Sequence, residues 1–292
     1  MARALAYLER NVQKDGGIYA QRLANYSTCV SLMAFTEANA DKKYDKLIAA
    51  AADFLKGMQK GDDLTEKDGS YGGVGYDGRT RPDLSNTHFF FDALLAAGVS
   101  RDDPVVKRAL VYVGRCQNLT SEFNPLLYAE KAADEDKGGF VYTPSEAEGK
   151  VGKGGRNVTP EGGLRSYGSM PYAGLKSLLY SGVAKDDKRV KAALEWIRKN
   201  YSVAENPGQK DVGLFHYYHL FAKALDALGE DPFVDAKGAK HDWRADLYAE
   251  LKRRQKADGV WANANSAFYE NQPELATAFA LLALSYCKPK AK

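Results

Sequence analysis

Leu251-Lys252-Arg253-Arg254-Gln255-Lys256-Ala257-Asp258-Gly259-Val260-Trp261 reads as the end of a charged helix, an anchoring Gln, and a turn built from Gly and an aromatic residue. The same phrase recurs upstream. It runs from Ala4-Leu5-Ala6-Tyr7-Leu8 to Gln13 and Gly16-Gly17-Ile18-Tyr19, and from Phe54-Leu55 to Gln59 and Gly69-Ser70-Tyr71. It returns from Tyr112-Val113 to Gln117 and Gly138-Gly139-Phe140, and from Trp196-Ile197 to Tyr201 and Gly213-Leu214-Phe215. Leu55, Val113, Ile197 and Leu251 each stand one helical turn before their anchor, so the copies share a buried face. The Gln is expected to bond the loose carbonyls at its own helix end and an amide of the next helix, while Gly turns the chain and the aromatic fills the wedge.

Each copy joins two kinds of helix. The first is amphipathic: Val190, Ala193, Leu194 and Ile197 form one stripe, with Lys188, Arg189, Lys191, Arg198 and Lys199 around it. The second is apolar around most of its circumference, as in Leu275 to Leu284 or Phe89 to Ala97, and is expected to be covered on all sides. Alternating half-wet and buried helices predict an all-α fold, an α/α toroid of about five helical hairpins with inner and outer layers. Gly98, Gly182 and Gly229 mark inner-helix ends, and Asp102-Asp103-Pro104, Asp186-Asp187 and Asp231-Pro232 mark the turns back. The expected organisation is a single domain over 1–288 with a loop insertion at about 119–163 and a basic tail at 289–292. Within the loop, Asn157 to Gly163 and the Lys150, Lys153 and Arg156 cluster read as a lid or as a solvated insertion, and Asp134-Glu135-Asp136 as solvated.

Composition narrows the function classes. The 292 residues are 45% hydrophobic and 27% charged, as in an ordinary soluble globular protein. The 41 basic and 38 acidic residues are dispersed, so no basic stripe points to nucleic acid. Cys29, Cys116 and Cys287 are odd in number and far apart, which indicates neither a disulfide framework nor a zinc finger. No apolar run reaches the roughly 20 residues of a membrane span. Neither does a signal peptide open the chain, and Ala4 already lies in the first outer helix. The chain is expected to be soluble, either cytoplasmic or exported with a missing signal segment.

On these repeat residues the chain resembles the superfamily of terpene cyclases and protein prenyltransferases, with its prenyltransferase and squalene oxidase repeats. Lys252 to Trp261 is similar to the Gln-Trp motif of squalene and hopene cyclases. The resemblance implies a toroid with a central hydrophobic cavity that receives an isoprenoid in relatives. Relatives that protonate their substrate carry Asp-x-Asp-Asp-Thr at an inner-helix start, with the middle Asp as donor. Here the stretch is Asp83-Leu84-Ser85-Asn86-Thr87, so Ser85 stands at the donor position, and a hydroxyl is no strong acid near neutral pH. Prenyltransferases hold zinc through Asp, Cys and His. Here His216 and His219 share a face but lack an evident third ligand, so no metal and no cofactor is expected.

Parallel inner helices would gather their starts at one rim, electropositive and rich in free amides. Asp83, Ser85 and Asn271 suit capping, whereas His88, Tyr167, His216, His219 and Glu270 have no capping role to explain them. The expected catalytic residues are Asp83, His88 and Glu270. The expected ligand-binding residues are Asn86, Tyr167, Met170, Tyr172, His216 and His219. The leading expectation is a cyclase-like toroid binding an isoprenoid or other hydrophobic small molecule. A carbohydrate-active α/α barrel, a lyase or glycosidase pairing Asp83 with Glu270, is the alternative. A noncatalytic module binding a peptide or protein is the third.

Overall fold

The computed structural model of the chain describes residues 2–61, 63–147 and 157–288. The tail at 289–292 and the Lys150, Lys153 and Arg156 cluster lie outside the described residues. Within them stand eleven α-helices and one two-stranded ribbon. Contacts divide the chain into two compact units. The first comprises Met1–Cys116, Thr120–Lys131 and Tyr142–Leu164, and the second Gln117–Leu119, Ala132–Val141 and Arg165–Lys292.

The first unit holds α1 (Ala2–Glu9), α2 (Ala24–Glu37), α3 (Asp45–Lys56), α4 (Leu84–Ala96), α5 (Pro104–Arg115) and the single turn α6 (Leu127–Glu130). The amphipathic reading holds for the outer helices: α3 buries Ile48, Ala51, Ala52 and Leu55, and α5 buries Val106, Ala109, Tyr112 and Val113, spaced three and four apart. Helix α4 is buried continuously from Asn86 to Leu94. Helix α2 packs on α3 and α4, yet its Val30 stays 42% exposed.

In the second unit follow α7 (Ser169–Tyr180), α8 (Lys188–Lys199), α9 (Leu214–Leu228), the antiparallel strands β1 (Phe233–Val234) and β2 (Lys240–His241), α10 (Trp243–Arg254) and α11 (Pro273–Tyr286). Helix α7 is buried from Ser169 to Leu178, and α9 packs against both α7 and α11. Full coverage of the apolar helices therefore holds for α4 and α7 but fails at α11. That helix buries only Ala276, Phe279, Ala280 and Ala283 on one face and leaves Leu281 56% and Leu282 47% exposed.

Within 119–163 the stretch at 138–146 is mostly buried, unlike a solvated insertion, whereas 157–163 is mostly exposed or half-buried. Asn124, Phe140, Val141 and Thr143 are buried. Asn124 Nδ2 donates to the Arg115 carbonyl at 3.2 Å, and the Tyr128 hydroxyl donates to the same oxygen, closing the end of α5. Asp134 and Glu135 are exposed as expected. Asp136 is buried instead and accepts from the Ser166 amide at 2.6 Å.

Successive copies meet at the Gly-aromatic turn. Gly16, Gly72 and Gly138 have φ of 90°, 80° and 82°. A β-carbon on them would lie 2.6, 1.9 and 2.3 Å from the carbonyl oxygens of Ala50, Arg108 and Ala192. Those residues each stand nine before the next anchor, Gln59, Gln117 or Tyr201, so each turn rests on the backbone of the following outer helix. The next glycine, Gly17, Gly73 or Gly139, leaves room for the ring five before that anchor, namely Phe54, Tyr112 or Trp196.

The anchors work differently from expectation. Gln59 Nε2 donates to Gly72 O at 3.0 Å and Val105 O at 2.8 Å, and Gln117 Nε2 donates to Gly138 O at 3.1 Å and Arg189 O at 2.8 Å. The side chain thus ties its own turn to the first turn of the next outer helix, since its two amide hydrogens diverge and can reach both. In the fourth copy the Tyr201 hydroxyl donates to Asp246 Oδ2 at 2.7 Å, reaching the residue nine before Gln255. A threonine locks the inner side: Thr28, Thr87 and Thr277 accept from the amides of Ile18, Val74 and Trp261 at 2.9, 3.0 and 3.0 Å.

Candidate functional site

Outer helices cap themselves, with Asp103, Asp187 and Asp242 accepting from Val105, Arg189 and Ala245 amides at 2.9, 2.8 and 3.0 Å. Inner helices are completed by the following copy. The Tyr76 carbonyl accepts from Asn25 N of α2 at 3.1 Å, and the Tyr142 carbonyl from Leu84 N of α4 at 2.8 Å. Asn206 Oδ1 accepts from Ser169 N of α7 at 3.1 Å. Glu270 accepts from Phe215 N and His216 N of α9 at 3.2 and 2.8 Å. These amides are therefore engaged, where a rim of free ones was expected. Glu270, read as having no capping role, caps α9 from about 55 residues downstream in sequence.

In the first unit Asp83 and Asn86 meet directly. Asp83 Oδ1 accepts from Asn86 N at 2.7 Å, and Asn86 Nδ2 donates to Asp83 Oδ1 and Oδ2 at 3.1 and 2.9 Å. Asn25 Nδ2 lies 3.5 Å from Asn86 Oδ1 and donates to Gly75 O at 3.0 Å, while Cys29 Sγ donates to Asn25 Oδ1 at 3.3 Å. Burial raises the Asp83 carboxyl to about 6, and the Asn86 donors, the Tyr142 hydroxyl and Arg81 pull the other way. Asp83 is thus a capping residue, as expected, and also a carboxyl that takes up a proton in mildly acid solution. His88 follows on the same helix, buried, with its ring 4.2 Å from that of Phe89. Thr87 matches the last residue of the cyclase motif, but Thr28 and Thr277 make the same bond, so that match belongs to the scaffold.

The remaining expected residues lie in the second unit. Met170 and Tyr172 are buried in α7, and Tyr167 is buried just ahead of it. The Tyr172 ring lies 5.6 Å from Tyr217 and 5.2 Å from Phe221, and burial pushes its hydroxyl well above the usual tyrosine range. His216 and His219 both face Phe279, at 5.4 and 6.0 Å. His216 keeps some contact with solvent, but its Nε2 is enclosed. Burial, helped by the Lys176 charge, lowers its pKa to about 4, so the ring is neutral near pH 7. Glu270 is fully buried; burial raises its pKa, opposed by Asn263 Nδ2 at 2.9 Å and by the amides it caps.

Two buried charges escaped the sequence reading, Asp92 in α4 and Lys176 in α7. Their signal was a single charge within an apolar run, Phe89-Phe90-Phe91-Asp92-Ala93-Leu94 and Leu175-Lys176-Ser177-Leu178. Among the described residues no group of three His, Cys, Asp or Glu has metal-binding geometry, and no helix is long and apolar enough to cross a membrane.

Residues 1–131 match the family model of the squalene-hopene cyclase C-terminal domain. No curated protein matches the chain in sequence. Among solved structures, a protein from Actinoplanes is similar over 99% of this chain and 74% of its own, at 15% identity and a TM-score of 0.65. The type II terpene cyclase MstE from Scytonema, without ligand, is similar over 98% of this chain and 72% of its own, at 17% identity and a TM-score of 0.61. A variant of that cyclase in complex with its substrate, geranylgeranyl dihydroxybenzoate, covers 98% of this chain and 71% of its own, at 18% identity and a TM-score of 0.60. At such identities the likeness is one of fold. Residues 1–131 are thus squalene-hopene cyclase-like in sequence, and the chain as a whole shares the all-α fold seen in a type II terpene cyclase.

Proposed function

We propose that the protein binds an isoprenoid or a similar apolar chain with a polar head. The observation that carries this reading is the likeness in fold, over nearly the whole chain, to a cyclase whose structure holds a geranylgeranyl dihydroxybenzoate. Tyr167, Met170, Tyr172, His216 and His219 supply the apolar and aromatic groups that suit such a ligand. Each methylene withdrawn from water contributes about 0.8 kcal/mol, so affinity needs no charged contact. Asp83, with Asn86 beside it, is the carboxyl to which we assign any proton donation, because its pKa of about 6 keeps a protonated fraction in mildly acid solution. Ser85 replaces the usual donor, and binding without turnover is consistent with that exchange. The carbohydrate reading is weaker, because Glu270 already serves three donors.

Titration of the purified protein with geranylgeraniol, followed by tyrosine and tryptophan fluorescence, is expected to saturate. The His219→Ala variant should bind several-fold more weakly with its circular dichroism unchanged. Absence of any saturable change with geranylgeraniol and with geranylgeranyl dihydroxybenzoate would sink the proposal. Turnover of the latter by the native protein but not by Asp83→Asn would extend it to catalysis.

A further inference from the structure

We infer that His241 is a proton-operated clasp: as an imidazolium it fastens the β1–β2 ribbon to α10 through two carboxylates, and as a neutral ring it releases one of them. The place is the fourth joint between repeats. At the second and third joints a glutamine makes the tie, Gln59 and Gln117 each donating to two carbonyls through an amide that does not titrate. The fourth joint has Tyr201, whose single hydroxyl donates to Asp246 Oδ2 at 2.7 Å. One hydroxyl carries one proton, so a second tie has to come from another residue.

His241 supplies it. Its Nε2 lies 3.0 Å from Oδ2 of Asp235, in the ribbon's turn, and its Nδ1 lies 3.5 Å from Oδ2 of Asp246, in the first turn of α10. The ring stacks on Tyr201, with centroids 4.1 Å apart and 30° between the planes. Tyr201 itself packs on Phe221 at 5.6 Å and Phe233 at 5.4 Å, which makes the tyrosine the fixed side of the clasp. Both imidazole nitrogens therefore face an ionised carboxylate, a group that accepts and does not donate. A neutral imidazole has one N–H and can serve one of the two. The imidazolium serves both, through charge-assisted bonds. When the ring is neutral, the shorter contact keeps the N–H on Nε2, and Nδ1 turns a bare lone pair on Asp246.

The other charged groups of these elements are engaged or exposed. On the ribbon, Lys237 and Lys240 are exposed. At the end of α8, Arg198 is held by Glu230 at 2.9 and 2.7 Å and by the Val234 carbonyl. On α10, Asp242 caps the Ala245 amide, and Arg244 pairs with Asp226 and Asp231. Burial, and then the bond to Asp246, push the Tyr201 hydroxyl well above the usual tyrosine range, so it stays a donor. The His241 bond, seconded by the Ala239 and Lys237 amides, holds the Asp235 carboxyl below its ordinary value. The clasp thus has two limits. Its contribution is lost as pH falls through the lowered Asp235 value, and again as pH rises until the ring gives up its second proton.

Hydrogen exchange of the whole protein tests the clasp. The Asp235 amide donates to Ala239 O and the Ala236 amide to Arg198 O, both at 3.0 Å, so their protection factors report ribbon closure. Protection is expected to fall about tenfold between about pH 5 and about pH 8, the span over which histidines in general change charge. The Gly72 and Gly138 amides, at the glutamine joints, should hold theirs within about twofold over the same span. His241→Gln offers a donor and an acceptor without charge and should keep the ribbon amides at the alkaline level at both pH values. Asp246→Asn retains an acceptor for Tyr201 and should also flatten the profile. In nitrogen NMR spectra both ring nitrogens of His241 should carry protons in acid, and Nε2 alone in alkali. These side chains are partly exposed, so the variants are expected to fold, which circular dichroism checks. Ribbon protection that is the same at both pH values overturns the inference. So does a His241→Gln variant that follows the native profile, or an alkaline ring protonated on Nδ1.

Discussion

Gly138→Ala and Gly259→Ala introduce the same methyl group at the same backbone conformation, with φ of 82° and 86°, into two different surroundings. A left-handed conformation costs a non-glycine residue about 1–2 kcal/mol. That is the whole expected loss at Gly259, where the new β-carbon meets nothing. At Gly138 the β-carbon would stand 2.3 Å from the Ala192 carbonyl oxygen, a backbone atom inside α8 that cannot swing aside. Overpacking adds about 1–3 kcal/mol, so Gly138→Ala should lose about 2–5 kcal/mol in all. Equilibrium urea unfolding at low protein concentration reads the difference, and thermal midpoints should separate by about 2–4 °C per kcal/mol. Equal losses for the two variants would refute the contact between the third turn and α8, and with it the shared register of the repeats.

Three further outcomes follow from the same geometry. Burial holds the folded Asp83 carboxyl above its ordinary value, so its contribution to stability is complete below about pH 4 and is lost as pH rises through about 6. Asp83→Asn, which keeps the cap, should gain on the native protein by an amount on the order of 2–3 kcal/mol across that window, measured by urea unfolding at pH 4 and 7. Glu270→Ala leaves the Phe215 and His216 amides without their acceptor and should cost about 2–4 kcal/mol in the same assay. A variant as stable as the native chain would return Glu270 to the list of catalytic candidates. Thr87→Val and Thr28→Val should each cost about 1 kcal/mol with closely similar effects, whereas a loss of ligand turnover confined to Thr87 would give that residue a role outside the scaffold.

The helices were legible because their signals are local. The stripe of Val190, Ala193, Leu194 and Ile197 and the caps at Asp103 and Asp187 lie within a turn or two of what they specify. The site was legible only in part, because its decisive partners are distant in sequence. Nothing near Glu270 announces that the amides it serves begin at Phe215, and nothing near Asn206 points to Ser169. Asp83 was read correctly as a cap since its partner is three residues on, but its raised pKa comes from burial, which spacing does not encode. Coverage of the inner helices was over-read for a related reason. An apolar sequence states what α11 would bury, not whether a neighbour is there to bury it.

Completion of each inner helix by the following copy gives the chain a direction during synthesis. Helix α2 waits for Tyr76, α4 for Tyr142, α7 for Asn206 and α9 for Glu270. With a ribosome adding about 5–20 residues per second, each helix start spends several seconds exposed before its cap emerges. Closure then advances one repeat behind the growing end. A premature stop in any later copy removes that copy and also leaves the helix before it uncapped.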